Sequence, residues 1–224
     1  GRILIPLDDA AAGAPSHSIH LKPLDEDALS LPVRTGKARV IGIEPASLVT
    51  KSLVREVKTD DTGCFQSALN PGLTKIAVIE RHKRTGKLGI GILEGYGLTG
   101  GAIATTISHD SHNIVVAGDN DPDMLLAVRE LADMGGGIVS VHGGAIRRLP
   151  LPIAGLMTSA DPQEVNAVLH DMLVAARAEL GIPEDVEPFM TLSFMALPVI
   201  PELKLTARGL FNVNTFSFVG VEAD

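Results

Sequence analysis

The chain has 224 residues, 45% of them hydrophobic, and a mean hydropathy of +0.25, which is enough for a buried core in one domain or two unequal ones. Its net charge is −8 with only 3% aromatic residues, which argues against nucleic-acid binding, since that needs a positive surface and stacking side chains. A single cysteine, Cys64, excludes an internal disulfide framework and favours the cytoplasm, and no apolar run is long enough to predict a membrane span.

Residues 1–57 are predicted to be rich in strands and turns. The apolar runs RILIPLD and KARVIGIEP are separated by the stretches DDAAAGAPSHS and LDEDALS, whose small, polar and acidic residues are typical of loops. A loop is also predicted over VKTDDTGCFQSALNPGL. Because longer buried runs follow it, we place a domain boundary after residue 57. The chain begins at Gly1 and its first methionine is Met124, so we expect it to be a piece of a longer protein.

The middle of the chain predicts four strands followed by a helix. LTKIAVIERH and KLGIGILEGYG are expected to form a hairpin around KRTG, and GAIATTIS and NIVVAG follow as two more strands. A helix is predicted over DNDPDMLLAVRELADMGGG, with Asp121 as its N-cap, Pro122 in its first turn and Gly135 to Gly137 at its end.

Two further strands, a second helix and an apolar tail complete the pattern. The strands are predicted over GIVSV and AIRRLPLPIAGLM, and the helix begins with Asp161-Pro162 and ends at Gly181. The tail, from Pro188 to the end, is expected to contain strands and an irregular loop around Pro198 to Pro201. This order predicts an α/β or α+β fold, in which two main helices cover layered mixed or antiparallel sheets.

Two short motifs favour a structural interpretation. GYGLTG matches the spacing of a dinucleotide-binding loop, but a strand pattern follows it where that loop requires a helix. We therefore expect its glycines to serve a tight turn or a close approach of the backbone. ERH, from Glu80 to His82, is expected to be a solvated strand end with a local ion pair.

SHDSHN is a dense group of short polar side chains between two predicted strands. Asp110, Ser111 and Asn113 are good turn residues, so a polar turn is one interpretation. The other is a functional site, because a turn can direct His109 and His112 toward one point, where imidazoles transfer protons or bind a small polar ligand. A self-sufficient metal site or a catalytic triad lacks the necessary partners nearby.

Longer blocks of sequence resemble a known family. The stretch KIAVIERHKRTGKLGIGILEGYGLTGGAIATTISHDSHNIVVAGDN, together with LPLPIAGLM and PFMTLSFMALPVIPELKLTARGLFNV, resembles the C-terminal region of bacterial and archaeal adenine deaminases of the amidohydrolase superfamily. The likeness covers roughly residues 40–224. GRILIPLD is similar to strands of the small β-sandwich that flanks an amidohydrolase barrel, which implies that residues 1–57 are a remnant of that sandwich and residues 58–224 the C-terminal α/β domain.

This resemblance implies a metal-dependent hydrolase that converts adenine and water into hypoxanthine and ammonia in purine salvage. A divalent metal, manganese or iron with zinc as an alternative, would be bound by a catalytic (β/α)₈ barrel. That barrel and its His-x-His ligands are absent from this chain, so no catalytic or metal-binding residue is assigned here, and the piece alone is expected to be inactive. It would pack on its own N-terminal barrel in a homo-oligomer and bring His109, Asp110, Ser111, His112 and Asn113 to the mouth of the active site.

Two residues depart from the family pattern, and two other functions stay open. Ala207 and Asn212 stand where aspartates are expected in relatives, which puts any role of those acids in doubt. One alternative is a hydrolase of another aminopurine or of a cyclic amide. The other is a non-catalytic oligomerisation domain, in which PFMTLSFMALPVI forms a subunit interface.

Overall fold

The fold is known from a computed structural model, which describes residues 17–223. The predicted strand RILIPLD lies outside the described residues. The strands of the larger sheet are β1 (Lys37–Ile43), β2 (Thr50–Glu56), β3 (Leu73–Ile79), β4 (Leu88–Glu94), β5 (Gly101–Thr105), β6 (Ile114–Gly118), β7 (Gly137–His142) and β8 (Ala145–Pro150). The smaller sheet contains β9 (Leu203–Thr206), β10 (Gly209–Asn212) and β11 (Ser217–Val219), and the helices are α1 (Asp121–Asp133), α2 (Pro162–Ala178) and α3 (Pro188–Phe194), with a short 3-10 helix at Ser67–Leu69.

The larger sheet is mixed, with strand order β2-β1-β4-β3-β6-β5-β7-β8. All its pairs are antiparallel except β1 with β4, which is parallel. β3 and β6 are almost wholly buried and mostly apolar, as expected for central strands covered on both sides. The α/β prediction with mixed sheets and covering helices is therefore confirmed, as is the predicted hairpin of β3 and β4.

Alternation along the strands divides the core between the two faces of the sheet. Ala77 and Ile79 of β3 pack against α1, in a cluster that contains Met124 and Leu131. The intervening residues of β3, Ile76 and Val78, belong to the cluster on the opposite face, which α2, α3 and the smaller sheet cover. Side chains two residues apart on a strand share a face, so this register determines which residues of β3 lie beside α1.

Strands from both sides of residue 57 belong to the same sheet. β1 and β2 form one edge of the eight-stranded sheet, and β1 pairs directly with β4. The assignment of residues 1–57 to a separate flanking sandwich stays a prediction, because its opening strand lies outside the described residues.

Two local predictions were wrong. The N-cap of α1 is Asn120, whose side chain accepts a hydrogen bond from the Asp123 amide, and Asp121 is the first helical residue. The tail contains a helix, α3, where the apolar sequence PFMTLSF indicated a strand. Glu187 caps this helix and Pro188 occupies its first turn, a combination that favours a helix start over a strand. The predicted start of α2 at Asp161-Pro162 is confirmed, with Asp161 as its N-cap.

Within the part of the chain that the structure describes, no helix combines the length and apolar character needed to span a bilayer.

Candidate functional site

The five residues singled out in the sequence form the turn between β5 and β6, at one end of the sheet. We call residues 107–113 the polar turn. Asp110 and Ser111 are exposed at its tip, His109 and His112 are half-buried, and Asn113 is 9% exposed. The sheet register places the end of β3 beside it, because Ile79 pairs with Ile114.

Hydrogen bonds to the backbone fix the shape of the polar turn. The His109 amide donates to the Ser193 carbonyl of α3 at 3.0 Å, and the His112 amide donates to the Ser108 carbonyl at 2.6 Å. On the outer side, the Nε2 atom of His82 lies 2.8 Å from the Ser111 carbonyl. His112 has a φ of 47°, in the left-handed region that a non-glycine residue adopts only where its surroundings enforce it.

The two imidazoles are neighbours but do not form a metal site. Their ring centroids are 6.1 Å apart, and the ring of His109 lies against that of Phe194 at 4.4 Å. Among residues 17–223, no group of three or more His, Cys, Asp or Glu side chains is arranged to hold a metal ion. The described residues therefore do not fit a catalytic metal centre, which requires about three protein ligands.

Three buried polar atoms of the polar turn have no hydrogen-bond partner. They are Ser108 Oγ, His112 Nδ1 and Asn113 Oδ1, and no other buried side-chain nitrogen or oxygen in the described part of the chain shares this property. Ser108 is fully buried. Leaving a buried polar group unsatisfied costs about 1–3 kcal/mol, and such groups are rare in native proteins. Their concentration on one turn makes the polar turn the candidate functional site of this domain.

The charges around His112 favour its neutral form. Burial lowers the pKa of His112 below its ordinary value of 6.5, and the neighbouring charges of His109, Arg81 and His82 lower it further, while Asp110 opposes them. A neutral imidazole has one nitrogen that donates and one that accepts a hydrogen bond. At neutral pH the buried Nδ1 is thus suited to recognise a neutral partner.

Arg81 lies beneath the polar turn and is a residue whose importance the sequence interpretation missed. It is 1% exposed, and its Nε donates to the His112 carbonyl. The prediction of a solvated strand end at Glu80 to His82 is therefore wrong for its central residue. A signal was present, because Arg81 continues the alternation of Ala77 and Ile79, which face the core.

An apolar cavity opens beside the polar turn. Its volume is about 280 Å³, and His109 and Ser193 line it together with Ile107, Leu169, Phe189 and Met190. His109, a residue of the polar turn, therefore also lines a recess. The size and apolar character of this recess suit a small, flat, mostly apolar molecule.

The glycine motif GYGLTG lies at the opposite end of the sheet. Gly95, Gly97 and Gly100 have φ values of 88°, 76° and 73°, and β5 follows directly. The predicted strand after the motif is confirmed, and the glycines serve tight turning of the backbone.

Comparison with known proteins supplies the family context. A sequence model described as the adenine deaminase C-terminal domain matches residues 47–217. The adenine deaminase of Nitratidesulfovibrio vulgaris strain Hildenborough is 56% identical over 222 residues, which are 99% of this chain. Adenine deaminase 2 of Carboxydothermus hydrogenoformans is 46% identical over 96% of the chain, and the adenine deaminase of Clostridium acetobutylicum is 44% identical over 91%.

These relatives are much longer than the chain. It spans 38% of the length of the Nitratidesulfovibrio protein, 37% of the Carboxydothermus protein and 36% of the Clostridium protein.

Proposed function

The chain belongs to the family of adenine deaminase C-terminal domains, and on that premise we propose that the whole protein converts adenine and water into hypoxanthine and ammonia. Adenine is the proposed substrate because relatives at 44–56% identity carry that activity in their names. The catalytic barrel belongs, in this proposal, to the part of the longer protein that the chain does not include. The C-terminal domain packs on that barrel and acts with it, and is inactive alone.

The polar turn is the part of this domain that we assign to the mouth of the active site. The observation that carries the assignment is the set of three buried atoms without partners, Ser108 Oγ, His112 Nδ1 and Asn113 Oδ1. A purine offers ring nitrogens that accept hydrogen bonds and an amino group that donates them. Neutral imidazole, amide and hydroxyl groups match both types of atom. Closure of the turn over the base also excludes water from the reacting atoms.

The divalent metal belongs to the barrel in this proposal, with manganese or iron as the expected ion and zinc as the alternative. The described residues offer no ligand set for it, so no chemical step is assigned to a metal within this domain. When bound in the barrel, such an ion supplies activated water. The contribution of residues 107–113 is to bind and orient the purine and to shield it from bulk water.

Substitution of the two histidines in the full-length protein tests the assignment. We expect His112→Ala and His109→Ala each to lower kcat/KM for adenine about tenfold or more, since about 1.4 kcal/mol of lost transition-state binding corresponds to a factor of ten. His170→Ala is the matched control, because His170 is exposed on α2. Turnover near the unsubstituted level in both variants, with unchanged melting temperatures, would refute a role for the polar turn.

Ser108→Ala separates binding from folding more sharply. The hydroxyl is buried without a partner, so its removal should leave the melting temperature unchanged or raise it. If the hydroxyl binds substrate, kcat/KM for adenine should nevertheless fall several-fold. A variant that gains stability and keeps full activity would show that Ser108 has no part in binding.

Two alternatives remain testable. Assays with other aminopurines and with cyclic amides distinguish a different substrate, because the residues of this domain do not define the purine pocket completely. For the oligomerisation alternative, PFMTLSFMALPVI is mostly used in the core, with Phe189, Leu192 and Met195 buried, which argues against that segment as a subunit interface. Light scattering of the full-length protein tests the homo-oligomer that we propose. The proposed cytoplasmic location rests on the single cysteine, Cys64.

A further inference from the structure

Arg81 connects three separate segments of backbone through one guanidinium group. Nε donates to the His112 carbonyl in the polar turn. Nη2 donates to the Ala154 carbonyl at 2.9 Å, and Nη1 donates to the carbonyl and hydroxyl oxygens of Ser18 at 3.2 and 3.0 Å. The rigid fork of a guanidinium suits such a role, because its donors point in fixed directions.

The surroundings of this guanidinium are closely fitted. A Cβ atom at Gly155 would lie 3.0 Å from both terminal nitrogens of Arg81. The carbonyl of Gly155 also accepts a hydrogen bond from Thr106 Oγ1 at 2.5 Å, at the start of the connection between β5 and β6. The loop around Gly155 and the polar turn are therefore held together twice, once through Arg81 and once through Thr106.

No carboxylate lies within ion-pair distance of Arg81 among the described residues. Its partners are carbonyl oxygens and one hydroxyl, which satisfy its donors without neutralising its charge. A buried cation without a counter-ion is costly, and a stable fold does not require one at the end of a strand. The positive charge is thus retained next to His112.

We propose that Arg81 is a positioning residue for the polar turn: it holds the His112 carbonyl so that His112 Nδ1 faces the substrate. The charge of Arg81 adds to the larger effects of burial and of His109, which lower the pKa of His112. This inference rests on the proposed function of the turn. The ionisable groups that face His112 are His109 and Asp110 within the turn, His82 on the adjoining loop, and Arg81 below it. Of the cationic groups, only Arg81 keeps its charge at every pH at which an enzyme is assayed.

Three variants of the full-length protein separate the geometric from the electrostatic role. Arg81→Gln removes the positive charge and the guanidinium donors that hold the polar turn. We expect kcat to fall about 10- to 100-fold, since a displacement of about 1 Å of a group at an active site has effects of that size. The acidic limb of the pH profile of kcat should also move to higher pH, because His112 loses a repelling charge. Arg81→Lys keeps the charge, so its acidic limb should stay in place while kcat remains reduced. In Arg81→Ala, added methylguanidinium should restore part of the turnover.

Lys75→Gln is the matched control. Lys75 is a cation of β3, the strand that precedes Arg81, and is 2% exposed. It lies at the opposite end of the sheet, hydrogen-bonded to Asp121 and to the Leu29 carbonyl. Loss of the Lys75 charge should lower the melting temperature but leave the acidic limb of the pH profile of kcat in place. Added methylguanidinium should not raise the activity of any Lys75 variant.

The outcomes distinguish this inference from the proposed function. A folded Arg81→Gln protein with unchanged kcat and pH profile overturns the inference alone, provided that His112→Ala is impaired. Normal turnover of His112→Ala overturns both. Loss of activity only in proportion to loss of folded protein, with no shift of the pH limb and no rescue, assigns Arg81 a structural role and overturns the inference. If neither Arg81→Gln nor Arg81→Lys folds, Arg81 likewise has a structural role and the inference is overturned.

Discussion

Two buried cations lie near opposite ends of β3 on the same face of the sheet, Lys75 within the strand and Arg81 two residues after its end at Ile79, and they have different partners. Lys75 and Arg81 are 2% and 1% exposed, and the alternation of the strand places both on the side of Ala77 and Ile79. Lys75 forms an ion pair with Asp121 at 2.6 Å and donates to a carbonyl at 3.0 Å. Arg81 binds only carbonyl oxygens and a hydroxyl. One cation is neutralised, and the other is not.

The polar groups around each cation follow the same division. At the Lys75 end, the Asp119 carboxylate accepts hydrogen bonds from the Gly100 and Gly101 amides, and Asn120 caps α1. At the Arg81 end, all three of the unpartnered buried side-chain atoms in residues 17–223 occur on one turn. Saturated hydrogen bonding is what stability requires. The difference supports the proposal that the Arg81 end of the sheet contributes to recognition, while the hydrogen bonds at the Lys75 end serve stability.

The largest effect on stability is expected from Lys75→Met. It leaves the Asp121 carboxylate without its cation and the Leu29 carbonyl without a donor, at a cost of about 3 kcal/mol, the lower end for breaking a buried pair because Asp121 is partly exposed. Hydrogen exchange of the β3 and α1 amides in the full-length protein measures this local loss. The double variant Lys75→Met/Asp121→Leu should regain part of it. A single variant as stable as the double one would contradict the pairing argument.

Gly155→Ala should affect the other end by about 1–2 kcal/mol, the cost of an L-residue in the left-handed region. Gly155 has a φ of 72°, and the added Cβ would press on the guanidinium of Arg81. Gly36→Ala is a close control, because Gly36 has a φ of 70° and a Cβ atom added there would have no neighbour within 4 Å. Both variants should lose similar stability, but only Gly155→Ala should lose turnover. Equal turnover in the two would argue against coupling through Arg81.

Asn120→Ala should cost about 1 kcal/mol, which is typical for the loss of an N-cap. The side chain of Asn120 accepts from the Asp123 amide at 2.9 Å. Asn120→Ser keeps an acceptor and should recover most of the loss. Thermal melting of the full-length protein, or hydrogen exchange in the first turn of α1, gives the measurement. Turnover should be unchanged in both variants, since this end of the sheet has no assigned role in binding.

Much of the fold follows from periodicity in the sequence. The strands β1 and β3 to β8 and the helices α1 and α2 follow from apolar residues that repeat with a clear period and end at glycine, proline or acidic residues. The edge strand β2 is not predicted, because only two residues of TKSLVRE are apolar. The helix α3 was missed because PFMTLSF is mostly apolar and too short to show a helical period. The signals that identify it are local, namely the capping Glu187 and the proline that follows.

The candidate site was only partly predictable for a different reason. The polar turn was visible because its residues are consecutive in the sequence. Arg81 and Ala154 reach it from distant segments, and no pattern within a single segment reports that they meet there. Backbone carbonyls are the partners of Arg81, so the sequence contains no complementary acid that would have indicated the contact. To predict that Arg81 meets these carbonyls, one must know the register of the sheet.

The smallest effect is a pH dependence of stability that arises from His112. Because the folded pKa of His112 is lowered from 6.5, mainly by burial, the unfolded chain binds a proton at a higher pH than the folded protein does. Stability is therefore lost as the pH falls through the unfolded pKa, by at most about 0.7 kcal/mol between pH 7 and pH 6 for one group.

His112→Gln should remove this part of the dependence of stability on pH, and His170→Gln, on the exposed surface of α2, should not. Hydrogen exchange of the β5 and β6 amides at the two pH values, corrected for the intrinsic exchange rate, measures it. An unchanged slope in His112→Gln would mean that His112 takes up its proton equally well in the folded and unfolded protein, and the neutral imidazole assigned to the polar turn would lose its support.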